Sequence, residues 1–138
     1  MEIFGEVTYT SDVFLGIAFK NAEEMREVLA VYAMDPLVQK LNIMDKWNLR
    51  LDGEVPFMFY REDDVNWSPG PGGWSAALVD IIKTAGTFFE EREVIYGWYF
   101  LRFGENYDDI KEQHGGDDRL ARYLWDRVQF NRSIEVNL

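Results

Sequence analysis

The sequence contains no cysteine and a single histidine, His114. The lack of cysteine excludes a disulfide framework, a thiolate metal site and a cysteine nucleophile. A single histidine also excludes a histidine-rich metal site and any mechanism that needs two histidines. His114 is followed by Gly115 and Gly116 in a polar segment. This setting favours a solvated side chain over the carboxylate-bound histidine of a Ser-His-Asp triad.

Sequence motifs for nucleotide binding and hydrolysis are missing as well. The chain has no GxxxxGKS/T, no GxGxxG and no GxSxG pattern, which carry the phosphate-binding loops and the nucleophile elbow. The glycine-rich run Gly70–Gly73 precedes a predicted helix, whose N-terminus could bind an anion. The acidic run Glu62–Asp64 nearby would repel a phosphate. We therefore predict a protein that is not an enzyme and that binds no cofactor.

Positive charge is scarce in this chain. It has 14 Lys and Arg against 25 Asp and Glu, so its formal net charge is −11. Direct binding to DNA or RNA needs basic residues that neutralise phosphates, so we expect no direct nucleic-acid binding. The acidity is compatible with a basic protein surface as partner. Residues 119–138 reverse the balance, with four Arg against Asp126 and Glu135.

Long apolar runs are also absent. No stretch of about 18 apolar residues occurs, so we expect no membrane span. The N-terminal MEIFGEVTYT lacks the basic and apolar regions of a signal peptide, so the expected location is the cytoplasm. The 138 residues correspond to a single domain, 1–138. Aromatic residues make up 16%, which excludes global disorder. The oligomeric state stays open.

Alternation of apolar and polar residues predicts the strands. A first hairpin is expected over residues 3–19, with a turn at Thr10-Ser11-Asp12, and a second over Asn48–Arg61, with a turn at Asp52-Gly53. Val94–Phe103 is apolar on both faces, which is typical of a central, covered strand. A closing strand is expected over residues 128–136.

Helical spacing predicts three main helices. Asn21, with Glu24 three residues later, is typical of an N-cap, and the helix it begins ends at Asp35-Pro36. A short helical piece follows over residues 37–44. A long helix starts near Trp74 or Ser75 and runs to Glu91; Gly86 destabilises it by up to about 1 kcal/mol relative to Ala. Residues 118–126 favour a helix, although Trp125–Val136 could also form a strand.

The element order is therefore β-β-α-β-β-α-β-(α)-β, which predicts an α+β fold. We expect a mainly antiparallel sheet of five to six strands with two helices packed on one face. Two polar loops, Glu62–Gly73 and Glu105–Asp118, are predicted at element ends on the surface.

These two loops are the candidate binding site, because each is strongly acidic and one is bracketed by tryptophans. Tryptophans on a Pro/Gly-stiffened loop make good anchors for a protein partner, and the acids would select a basic one. The alternative for the tryptophans is a role in the core. The predicted partner-binding residues are Glu62, Asp63, Asp64, Trp67, Trp74, Glu105, Asp108 and Asp109.

The functional expectation is a small acidic, non-enzymatic protein-binding module. Its size, acidity and lack of catalytic motifs resemble those of small accessory proteins of phages and mobile elements, which implies an inhibitor that covers the nucleic-acid-binding surface of a host defence protein. Simple solubility is the plainest explanation of the charge. Two further alternatives stay open. One is a structural subunit of an assembly. The other is a metal-dependent hydrolase that uses Glu105, Asp108 and Asp109 of the acidic loop, in which Glu105, Asn106, Asp108 and Asp109 could hold a weak calcium or magnesium ion.

Overall fold

The computed structural model describes residues 10–66, 76–106, 108–130 and 134–136. Their centre is a five-stranded sheet with the order β2-β3-β1-β4-β5, in which every neighbouring pair is antiparallel. This confirms the predicted α+β fold and its antiparallel sheet. The strands are β1 (Thr10–Phe19), β2 (Asn48–Arg50), β3 (Phe57–Asn66), β4 (Tyr96–Gly104) and β5 (Ile110–Gly116).

β1 is the central strand because it is apolar on both faces. Phe14 pairs with Arg61 of β3 on one side and with Leu101 of β4 on the other, and it is completely buried. Burial of such a side chain contributes about 2–3 kcal/mol. The turn predicted at Thr10-Ser11-Asp12 is wrong, since these polar residues begin β1 and pair with its neighbours. The strand predicted over residues 3–9 lies outside the described residues.

One face of the sheet is covered by three helices and a 3₁₀ turn. These are α1 (Ala22–Tyr32), α2 (Pro36–Lys40), the 3₁₀ turn Ile43–Lys46 and α3 (Ala76–Glu90). Their apolar sides pack against the β1 residues that point to this face of the sheet, and together they form one buried core cluster. Tyr32 lies at its centre, where its hydroxyl is 3.2 Å from Thr84 Oγ1 and accepts a bond from Trp47 Nε1 at 3.3 Å. Two helices were expected on one face; α1 and α3 lie there, but α2 lies there as well, and a fourth helix covers the opposite face.

The predicted helix starts follow from side-chain caps. Asn21 Oδ1 accepts the backbone N–H of Glu24 at 2.8 Å, and Asn21 Nδ2 donates to the Glu24 carboxylate at 3.1 Å. Asp35 Oδ1 likewise accepts the N–H of Leu37, so the Asp-Pro pair that ends α1 also begins α2. Each such cap stabilises its helix by about 1 kcal/mol.

The opposite face is covered by α4 (Asp118–Arg127) and a small second sheet. The second sheet consists of β6 (Val128–Phe130) and β7 (Ile134–Val136), which pair antiparallel with each other. The predicted helix over 118–126 is confirmed, whereas the single strand over 128–136 is wrong. α4 approaches β4 at Gly97, where a Cβ would lie 2.5 Å from the backbone nitrogen of Ala121. Only glycine permits this close contact.

Both predicted loops are shorter than expected. Residues 62–66 of the loop Glu62–Gly73 continue β3, and residues 110–116 of the loop Glu105–Asp118 form β5. Backbone pairing with β1 and β4 explains both strands, because ladder hydrogen bonds need no apolar side chain.

The predicted second hairpin is confirmed, since Arg50 of β2 pairs with Phe57 of β3. Among the described residues, every helix is too short or too polar for a transmembrane segment.

Candidate functional site

The two predicted acidic loops meet at one end of the sheet, where β1 starts and where β3 and β4 finish. A polar hollow of about 150 Å³ opens there. Three carboxylate residues line it: Asp12 from β1, Asp64 from β3 and Glu105 after β4. We call these three residues the acidic end. Asp12 is a residue that the sequence analysis missed, because Thr10-Ser11-Asp12 is typical of a turn.

Hydrogen bonds hold the acidic end in place. The backbone N–H of Asp64 donates to Asp12 Oδ1 at 3.0 Å, across an irregularity of the β1–β3 ladder between Ser11 and Val13. Asp64 has a φ of +56°, a left-handed conformation that Asp and Asn tolerate better than most residues. Thr10 Oγ1 donates to the Glu105 carboxylate at 3.1 Å. The carboxylates of Asp64 and Glu105 belong to exposed residues and can face a partner.

The other predicted site residues are placed differently. Glu62 accepts a hydrogen bond from the Tyr60 hydroxyl, and Asp63 pairs with Arg61 at 3.3 Å. Asp108 is exposed. Trp67 and Trp74 lie outside the described residues, so their predicted role as anchors stays a prediction.

Asp109 is partly exposed, and its carboxylate is bound by Arg102. Its two carboxylate oxygens accept from Arg102 Nη1 at 3.1 Å and from Nη2 at 2.8 Å. Arg102 Nη1 also donates to the hydroxyl of Ser11, a buried residue, at 3.1 Å. Arg102 is only 7% exposed, so the pair neutralises a charge that would otherwise be costly to bury.

This pairing bears on the metal hypothesis. Within the part of the chain that the structure describes, no group of three or more His, Asp or Glu side chains is arranged to hold a metal ion. Asp109, one of the four proposed ligands, points at a guanidinium.

A larger, apolar groove lies between α3 and strands β4 and β5, on the face of the sheet that α1, α2 and α3 cover. Its volume is about 450 Å³, which is within the range of small-molecule sites. We call it the α3 groove. Residues from β1, α3, β4 and β5 line it: Leu15, Ile17, Ile82, Ala85, Gly86, Phe89, Tyr96, Trp98, Phe100, Arg102, Lys111 and Gln113.

The charge of the α3 groove is opposite to that of the whole protein. Its two charged lining residues, Arg102 and Lys111, are both cations, and they face each other in the β4–β5 register. Because the Asp109 carboxylate neutralises Arg102, Lys111 supplies the positive charge at this end of the groove.

The floor of the groove is formed by an aromatic row on β4. Tyr96, Trp98 and Phe100 point to the same face of the sheet. Trp98 packs over Gly115 of β5, where a Cβ would lie 2.6 Å from the indole nitrogen. The glycine thus allows the indole to lie flat against the edge strand.

A third hollow, of about 400 Å³, lies on the opposite face between β5 and α4 and includes His114 and Trp125. His114 is exposed, as predicted, although it belongs to β5 rather than to a loop. Tyr99 donates a hydrogen bond to Glu112 here. Burial, followed by this bond and the Glu112 charge, raises the pKa of Tyr99 well above its usual range. Tyr99 is therefore a neutral donor and not a base.

Comparison with protein-family models, with curated proteins and with solved structures finds no match for this chain.

Proposed function

We propose that this protein is a small, non-enzymatic binding module that engages a basic surface of another protein through its acidic end. One observation carries the proposal: Asp64 and Glu105 come from two distant acidic segments and line the same hollow as Asp12. Acidic residues dispersed around the surface would serve solubility, whereas carboxylates gathered at one end create a local field.

The local charge supports a basic partner. Arg61 and Arg102 pair with Asp63 and Asp109, so these neighbours do not add to the field of the acidic end. The exposed carboxylates of Asp64 and Glu105 remain available. Such a field attracts a basic surface and accelerates encounter, with an effect that salt screens.

Within this proposal, the partner surface is one that binds nucleic acid. Such surfaces collect Arg and Lys to neutralise phosphates, so carboxylates gathered at one site can compete for them. An inhibitor of a host defence protein, carried by a phage or another mobile element, would act in this way.

The test is a titration of the isotope-labelled protein with a decapeptide of alternating Arg and Gly, followed by amide shifts in NMR spectra. We expect the largest shifts at Asp12, Asp64 and Glu105. Affinity should fall between about 50 and about 500 mM NaCl, because the Debye length shortens severalfold over this range.

Two variants with the same loss of charge make the test specific. D64N/E105Q removes two charges from the acidic end and should weaken peptide binding about fivefold at low salt, as expected for two exposed charge pairs. E90Q/E91Q removes two charges at the end of α3, near the start of β4, and should leave binding nearly unchanged. Equal effects of the two variants, or shifts spread over all acidic residues, would contradict the proposal and favour simple solubility.

A further inference from the structure

We propose that the α3 groove binds a small amphipathic carboxylate, with its apolar part against Trp98 and Phe100 and its carboxylate at Lys111. This site is separate from the acidic end and independent of its function. The inference combines the apolar lining, the sign of the charge at one end of the groove, and the space that α3 leaves open.

The apolar part of the groove offers a ligand more than one wall. Trp98 and Phe100 form the floor, and Phe89 and Ile82 of α3 form a side. Ile82 is 42% exposed, although it lies on the helix that supplies much of the core. An aliphatic or aryl group placed here would remove this apolar surface from water, which is the main driving force for such binding.

The charge at the end of the groove selects an anion. The Lys111 ammonium group forms no ion pair within the described part of the chain, and Gln113 beside it on the same strand face adds an amide donor. In a protein with a net charge of −11, two cationic residues and no carboxylate line this groove among the residues that the structure describes. A carboxylate head group matches these donors, whereas a cationic head group does not.

The space itself is kept open by a glycine in the middle of α3. A Cβ added to Gly86 would meet no atom of the described residues within 4 Å, so none of these neighbours requires glycine at this position. Glycine disfavours a helix, yet at this position it widens the groove. The position therefore offers a direct way to fill the site.

The test uses decanoate as the probe with the full chain, measured by isothermal titration calorimetry and by NMR shifts. We expect saturable binding of one decanoate, with shifts at the Trp98 indole N–H, Lys111 and Gln113. Decanol should bind more weakly, and decyltrimethylammonium should not bind at the groove.

Three variants separate the contribution of the Lys111 charge to binding from that of the open space at Gly86. K111Q should weaken decanoate binding about fivefold and leave decanol binding unchanged. K83Q loses the same charge on the exposed side of α3 and should have no effect. G86L should abolish binding of both probes; because leucine favours a helix more than glycine does, the variant should stay folded.

Several results would overturn the inference: no saturable binding of decanoate, shifts that map outside the groove, or equal effects of K111Q and K83Q. Tight binding of decanol with no contribution from Lys111 would also overturn it, because the groove would then accept any apolar group. D64N/E105Q should bind decanoate like the unaltered protein, so failure here and failure of the acidic end can be told apart.

Discussion

Arg102 shows how one residue connects two strands, β1 and β4, and the segment that leads into β5. Its guanidinium bonds Asp109, which precedes β5, and Ser11 of β1, while its backbone belongs to β4. Replacement of Asp109 by Asn would remove the negative charge that faces the nearly buried Arg102 guanidinium. We expect D109N to lower the free energy of unfolding by about 2 kcal/mol, below the usual range for buried pairs because Asp109 is partly exposed.

Urea denaturation measures this effect, and D108N is the matched control. Asp108 is exposed, so D108N should change stability by less than about 0.5 kcal/mol. An equal loss in both variants would show that the paired carboxylate has no special role.

Two tyrosines predict the response of the protein to alkaline pH. Burial raises the pKa of Tyr99 and of Tyr32, and the Glu112 bond and charge reinforce the effect at Tyr99. The folded state thus favours neutral tyrosine. Its stabilising effect is complete below the unfolded tyrosine pKa of about 10 and is lost as the pH rises above it, because the unfolded chain then binds fewer protons.

Urea midpoints between about pH 8 and about pH 11 test this prediction. The midpoint should fall above about pH 10, and Y99F should show a smaller fall than the unaltered protein. If Y99F falls by the same amount, Tyr99 ionisation does not contribute.

At the scale of elements, two glycines predict opposite effects of the same substitution. Gly86 on α3 has open space where a Cβ would lie, whereas at Gly97 on β4 a Cβ would lie 2.5 Å from the Ala121 nitrogen and 2.6 Å from the Asp117 oxygen. We expect G86A to raise the free energy of unfolding by up to about 1 kcal/mol. We expect G97A to lower it by about 3 kcal/mol, because α4 must move.

Thermal melting of the two variants measures both effects. A destabilised G86A would mean that the glycine has a structural role in α3, and an unchanged G97A would mean that α4 is not packed closely on β4.

The elements that could be predicted from sequence are those whose side chains carry the pattern. α1 follows from the Asn21 cap and its apolar stripe, and β4 follows from alternation on two apolar faces. β5 could not be found in this way, because its side chains are almost all exposed and only its backbone pairing with β4 makes it a strand. The start of β1 and the end of β3 were missed because most of their residues are polar or acidic, although Ser11 and Val65 are buried.

The candidate sites, too, could be predicted only where a side-chain pattern marks them. The acidic residues of the two loops could be picked out from composition, but their meeting with Asp12 depends on strand order, which one sequence does not specify. The α3 groove was missed altogether. Its residues alternate correctly on β4, yet nothing in the sequence indicates that α3 leaves Trp98 and Lys111 uncovered.

At the scale of the whole molecule, the sheet separates two different sides. α1, α2 and α3 cover one face and α4 covers the other, while the acidic end lies where strands of the sheet finish. The helices do not cover the sheet completely, and the cationic α3 groove lies open between α3, β4 and β5 in a protein that is acidic as a whole. Carboxylates line the acidic end and cationic side chains line the α3 groove. The net charge of −11 therefore does not indicate the local charge of either site.

β1 lies at the centre of the sheet, yet both strands beside it come from later in the chain. Phe14 pairs with Arg61 and with Leu101, and the closure of such long loops slows folding. During synthesis β1 is made well before β4, so one of its edges stays unpaired until most of the chain has left the ribosome. An apolar strand in that state can associate with other chains, which makes chaperone binding and expression temperature important for the yield of folded protein.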